Sequence, residues 1–176
     1  MEYDDPDHFD WEYHEERVYE AAQGHAQGVY SDLEFVRRQI TGLAASGLYH
    51  FWERLLKEFL VWELWRRAGL TPPKSIYKAN FEQLTTLLLD HGWDIKAMDF
   101  YRDLERLCLV ANTVKHGDGQ SCDKLLVAAP ELFFDCRWPS LNDRRGADDL
   151  RLDVGHFEQF TQAVRAFFEQ FPERLP

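Results

Sequence analysis

The chain has 176 residues, 45% of them hydrophobic and 15% aromatic, which suits one well-buried domain and excludes a disordered polymer. Its net charge is −11, and residues 1–20 hold nine acidic side chains against Arg17 alone, so the remaining 156 residues carry only −3. No stretch of 18 uncharged apolar residues occurs, so no membrane span is expected. Nor does a basic n-region followed by an apolar h-region open the chain, and a cytoplasmic location is the expectation. Cys108, Cys122 and Cys136 match no zinc or redox spacing, which predicts reduced, packed thiols and neither metal nor cofactor.

Residues 1–30 form an acidic segment studded with Tyr3, Phe9, Trp11, Tyr13 and Tyr19. Its composition predicts a solvated tail or a strip that docks on a basic protein partner. A short helix over 14–27 is weakened by Gly24 and Gly28. The bundle domain is placed at 31–176. Ser31 or Asp32 is a plausible N-cap for a long helix reaching Arg67, with Gly42 and Gly47 as weak points. Gly69 and Pro72-Pro73 would end it. Apolar residues from Leu48 to Leu64 cover more than half its circumference, as in a central or interface helix.

Asn80 caps a third helix that runs to His91 and stops at Gly92, and a fourth spans about 97–116. Residues 117–150, rich in Gly and Pro, read as a long irregular connection with at most a helical turn near 121–128. Arg137, Arg144 and Arg145 make that connection locally basic. Residues 150–154 alternate as a short strand would, and a last helix over 155–171 carries Phe157, Phe160, Val164, Phe167 and Phe168 on one face. The sum is an all-α, up-and-down bundle of four to five main helices with a long loop before the last.

The fourth helix carries the chemistry. Phe100, Leu104, Leu107, Cys108, Ala111 and Val114 make one apolar stripe, and Glu105, Leu109, Asn112 and His116 make a separate ridge beside it. Asn112 and His116 stand one turn apart, close enough to share a phosphate, a ribose hydroxyl or a carboxylate. The alternative is structural: a histidine at a helix C-terminus suits the macrodipole and can donate to the last carbonyls, with Gly117 as a left-handed C-cap. Lys115 points towards the core side of the helix end. His50 and Glu53, one turn apart on the long helix, could approach the same site, whereas His8, His14 and His25 have no ligand spacing.

The pattern Asn112-x-x-x-His116 at the end of a bundle helix resembles the HEPN superfamily (higher eukaryotes and prokaryotes nucleotide-binding), whose signature is Arg-polar-x-x-x-His. The segments 47–60 and 109–119 are similar to uncharacterised bacterial members of that group. The resemblance implies a homodimer in a bacterial defence or toxin–antitoxin setting that binds RNA or cleaves it without a metal. It implies His116 as the acid–base or phosphate-contacting group and Asn112 as a positioning group; Lys115, Glu53, His50 and Arg106 are the residues expected beside them on the substrate side. The motif arginine would stand at Ala111, and Arg102 and Arg106 lie 10 to 14 residues upstream of His116, within reach only from a second subunit. A catalytically degenerate interaction module that dimerises and binds a protein is the other expectation.

Overall fold

The computed structural model describes residues 11–68, 75–134 and 145–172. It is all-α, with six helices among the described residues: α1 (Trp11–Ala68), α2 (Ser75–Lys78), α3 (Phe81–Asp90), α4 (Tyr101–His116), α5 (Gln120–Ala128) and α6 (Val154–Glu169). Short 3-10 turns occupy Ile95–Ala97, Pro130–Leu132 and Ala147–Asp149. Among the described residues no helix is long and apolar enough to cross a membrane. Arg137, Arg144, Cys136, Pro72-Pro73 and the first ten residues of the acidic segment lie outside the described residues.

The chain divides into two units, Met1–Arg37 and Arg38–Pro176. In the first, every described side chain from Glu15 to Arg37 is exposed except the half-buried Glu34, and a salt bridge of 3.2 Å joins Arg37 to Glu34. The expected N-cap at Ser31 or Asp32 is not there, because α1 runs through that point without interruption. The expected short helix over 14–27 is thus part of α1. Gly24 and Gly28 lower the helix propensity but do not break the backbone.

The second unit holds the core. From Ala45 onward α1 buries Tyr49, Trp52, Leu56 and Leu60, a spacing of three and four that puts one stripe inward. The Trp52 indole packs edge-on against Phe167 of α6 at 5.3 Å and lies 5.7 Å from Phe81 of α3. Gly42 has its own packing reason: a Cβ there would stand 3.3 Å from Val114 Cγ2 of α4. α4 is the central element, burying Leu104, Leu107, Cys108, Val110, Ala111 and Thr113. In α6, Phe160, Val164 and Phe167 are buried as the stripe predicts, while Phe168 is exposed.

Capping explains several boundaries. Asn80 Oδ1 accepts from Gln83 N at 2.9 Å while Gln83 Oε1 accepts from Asn80 N at 2.9 Å, a reciprocal capping box at the expected place. Asp153 performs the same task for α6 by accepting from His156 N at 2.9 Å. The alternating residues 150–154 therefore supply a cap, and among the described residues their strand-like pairing is an isolated bridge between Leu150 and Phe133. Residues 120–128, expected as at most one turn, form a full helix because Cys122 and Leu125 bury against the core. Gly117 has φ +73° as a helix-ending glycine should, but its ψ of −130° lies outside the left-handed helical region expected of it.

Candidate functional site

One cleft of about 620 Å³ gathers polar groups from five elements of the second unit, a size ordinary for a ligand site. α1 contributes Tyr49, His50 and Glu53, one helical turn of neighbours beside its buried stripe. α3 contributes its capped start at Asn80, Phe81 and Glu82, and the 3-10 turn before α4 contributes Lys96. α5 contributes Ser121, Lys124 and Ala128. The longest wall is α4, where Tyr101, Glu105, Cys108, Asn112 and Lys115 recur every three or four residues along one face.

The deep end of the cleft is neutral. Tyr49 and Cys108 are buried, and Asn112 Nδ2 donates to Cys108 Sγ at 3.4 Å. Burial, offset in part by a hydrogen bond with Tyr49, pushes the Cys108 thiol up to about 11. Burial, reinforced by Cys108, lifts the Tyr49 phenol far above its ordinary range. Neither group is a nucleophile near neutral pH, since the reactive form of each is the anion. Tyr101 is pushed up to about 12, first by burial and then by the Glu105 carboxylate, 3.4 Å from its hydroxyl.

The rim is charged and balanced, with Glu53, Glu82 and Glu105 against Lys96, Lys115 and Lys124. The two sets differ in how they are engaged. Glu53 accepts from Lys57 Nζ at 3.0 Å and lies 3.4 Å from His50 Nδ1. Lys57 also donates to the Tyr77 carbonyl at 3.3 Å, which fixes this cluster to α2. Lys96, Lys115 and Lys124 form no ion pair with any described residue and stand exposed at the cleft. Among the described residues the rim thus presents three ammonium groups without an ion-pair partner, while one of the rim's three carboxylates, Glu53, is already neutralised by Lys57. A histidine oriented by a carboxylate is in addition a recognisable general-base arrangement.

The sequence-derived site residues separate into two groups. Asn112, Lys115, His50 and Glu53 converge on this cleft, and Lys115 faces solvent rather than the core side. His116 and Arg106 do not line it. His116 is exposed at the tip of α4 and makes no hydrogen bond with a helix-end carbonyl among the described residues; the Thr113 carbonyl is instead taken by Gly117 N at 2.8 Å. Arg106 is committed elsewhere, donating to the Ala128 carbonyl at 3.0 Å and pairing with Glu131 at 3.1 Å. Ala111, the position of the motif arginine, is 0% exposed.

Lys96, Lys124, Ser121 and Tyr101 belong to the cleft without having been singled out as site residues. Tyr101 carried a signal, because it extends the Glu105–Asn112 ridge by four residues. The lysines carried none, since α5 and the 3-10 turn reach the site only through long-range packing. Among the described residues no group of three His, Cys, Asp or Glu could hold a metal ion. No protein-family model, curated protein or solved structure matches the chain.

Proposed function

We propose that the chain is a HEPN-like protein that binds single-stranded RNA in the cleft between α1, α3, α4 and α5. The observation that carries this reading is the set of three lysines, Lys96, Lys115 and Lys124, that form no ion pair among the described residues, around a cleft that also offers Asn112, Ser121 and aromatic side chains. Lysines meet phosphates as point charges, and exposed bases stack on aromatic faces. Phe81 and Tyr101 lie 6.0 Å apart at 33°, a tilted pair that suits contact with one base. Asn112 and Ser121 supply both donors and acceptors for a base edge or a 2′-hydroxyl. The defence or toxin–antitoxin setting rests on the family resemblance alone.

Metal-independent cleavage would need a base to take the 2′-hydroxyl proton, an acid for the leaving 5′-oxygen and positive charge on the phosphate between them. His116 is accessible for proton transfer, and Lys115, its neighbour in sequence, is the nearest cation in the motif. The second reading, a non-cleaving module, is favoured by Ala111: the motif position that would carry a guanidinium is inside the core.

Fluorescence anisotropy of a labelled single-stranded RNA tests the binding. Lys115→Glu with Lys124→Glu is expected to weaken it at least tenfold, and unchanged affinity would overturn the assignment of the cleft. Incubation of total RNA in EDTA with wild type and with His116→Ala decides cleavage. RNA profiles identical to a no-protein control support the non-cleaving reading; fragments that vanish in the variant support the nuclease.

A further inference from the structure

The exposed half of α1 carries a pattern that its own unit does not use. Tyr19, Ala22, Ala26, Val29, Leu33 and Val36 follow one another at alternating steps of three and four, the seven-residue repeat of a coiled-coil seam. All six are exposed, Leu33 at 63%. The same spacing continues in sequence through Ile40 and Leu43, exposed at 62% and 64%. In the second unit the residues beside them that α1 turns into the core are Gly42, Ala45 and, one turn on, Tyr49. Ile40 and Leu43 therefore lie on the side of the helix away from the bundle. Gly24 and Gly28 both fall at positions of the repeat outside the seam.

We propose that this seam is covered by a second copy of the chain, in a parallel two-stranded coiled coil over residues 19–36. A 3.5-residue apolar repeat is a requirement of supercoiling partners, whereas a helix packed on a globular core needs only a 3.6-residue stripe. A second copy satisfies it because the repeat matches itself in register. The flanking charges select the orientation. With Tyr19, Ala26 and Leu33 as the first seam position of each heptad, Asp32 precedes a seam residue and Arg37 follows the next one. In a parallel pair Asp32 of one copy faces Arg37 of the other, twice by symmetry. Reversing one strand about the middle of the seam would instead set Asp32 opposite Gln23 of its copy, without a cation to face it. This interface uses neither the α4 ridge nor the cleft.

Sedimentation equilibrium of the full chain across a concentration series tests it. The expected mass is twice the 20.8 kDa of the monomer, reverting to 20.8 kDa in Leu33→Asp with the near-UV circular dichroism of the bundle unchanged. Arg37→Glu is expected to weaken the dimer severalfold, and adding Asp32→Arg to restore it, a rescue that loss of helix would not produce. A wild-type mass of 20.8 kDa at every concentration, or a dimer indifferent to Leu33→Asp, would overturn the proposal. Failure of the charge reversal to rescue would overturn the parallel register.

Discussion

The two halves of α1 obey the same helical geometry and stand on different physics. Between Ala45 and Glu63 the helix buries a side chain every three or four residues and lends the neighbouring positions, His50 and Glu53, to the cleft. Between Glu15 and Arg37 it buries none fully. A helix in water with no packed face is marginal even when its propensity is good, because most helical stability in proteins comes from tertiary burial. Continuity of hydrogen bonding along a helix thus says little about what holds each part of it. The first half needs either local propensity or a partner; the second has the core.

The largest expected effect comes from forcing charge into that core. Ala111→Arg would restore the motif of the resembled family on paper. At a fully buried position, however, it introduces an unpaired guanidinium and is expected to cost at least about 3–5 kcal/mol or prevent folding. Urea denaturation checks this, and a stable, RNA-cleaving Ala111→Arg would show that α4 can rotate its motif face outward. Trp52→Ala follows at about 3–5 kcal/mol, because it empties the centre of the ring cluster. The exposed-half counterpart, Leu33→Ala, is expected to change monomer stability by only about 0.5 kcal/mol. A comparable loss at both sites in dilute protein would break the contrast between the halves.

Smaller effects sharpen it. Removing the α6 cap with Asp153→Ala should cost about 1 kcal/mol in thermal or urea unfolding. The hydrogen bond from His156 N holds the Asp153 carboxyl below its ordinary pKa, so its contribution is present above the unfolded value and fades as pH falls through the folded one. Cys108 has the opposite sense. Its thiol pKa is raised from 9.0 to about 11, so the fold keeps its full stability below 9.0 and loses part of it as pH rises towards 11. Alkylation of Cys108 should be slow at pH 8 and accelerate steeply above pH 9; fast reaction at pH 8 would mean that the deep end of the cleft is open. Gly24→Ala is the mildest change. No atom lies within 4 Å of the Cβ it would add, so helicity should rise and stability increase by at most about 1 kcal/mol.

Much of the bundle was legible because its signals are local. Asn80 followed by Gln83 spells a capping box, and the Phe160–Val164–Phe167 spacing spells a buried helix face. Residues 120–128 were obscured by the Gly117 and Gly119 before them, although Cys122 and Leu125 are what order the helix. In the N-terminal segment a short helix over 14–27 was legible but its continuity with the long helix was not, since Gly24, Gly28 and the cap-like Ser31-Asp32 read as breaks that the backbone of α1 passes through. The site was half legible. Asn112, Lys115, His50 and Glu53 could be chosen from residue type and spacing, but Lys96 and Lys124 become neighbours only once α4 and α5 have packed. His116 shows the limit in the other direction, because although it is the sequence neighbour of Lys115 it is not part of the lining of the cleft that Lys115 lines.

The salt dependence of RNA binding tests the central claim most directly. If Lys96, Lys115 and Lys124 each meet a phosphate, the logarithm of the affinity for a single-stranded RNA should fall with the logarithm of salt concentration with a slope of about −2. Lys115→Ala should reduce that slope by about 0.7, while Leu33→Asp, in the exposed half of α1, should leave it unchanged. A slope near zero, or one that Lys115→Ala leaves intact, would contradict the assignment of the cleft as the RNA site.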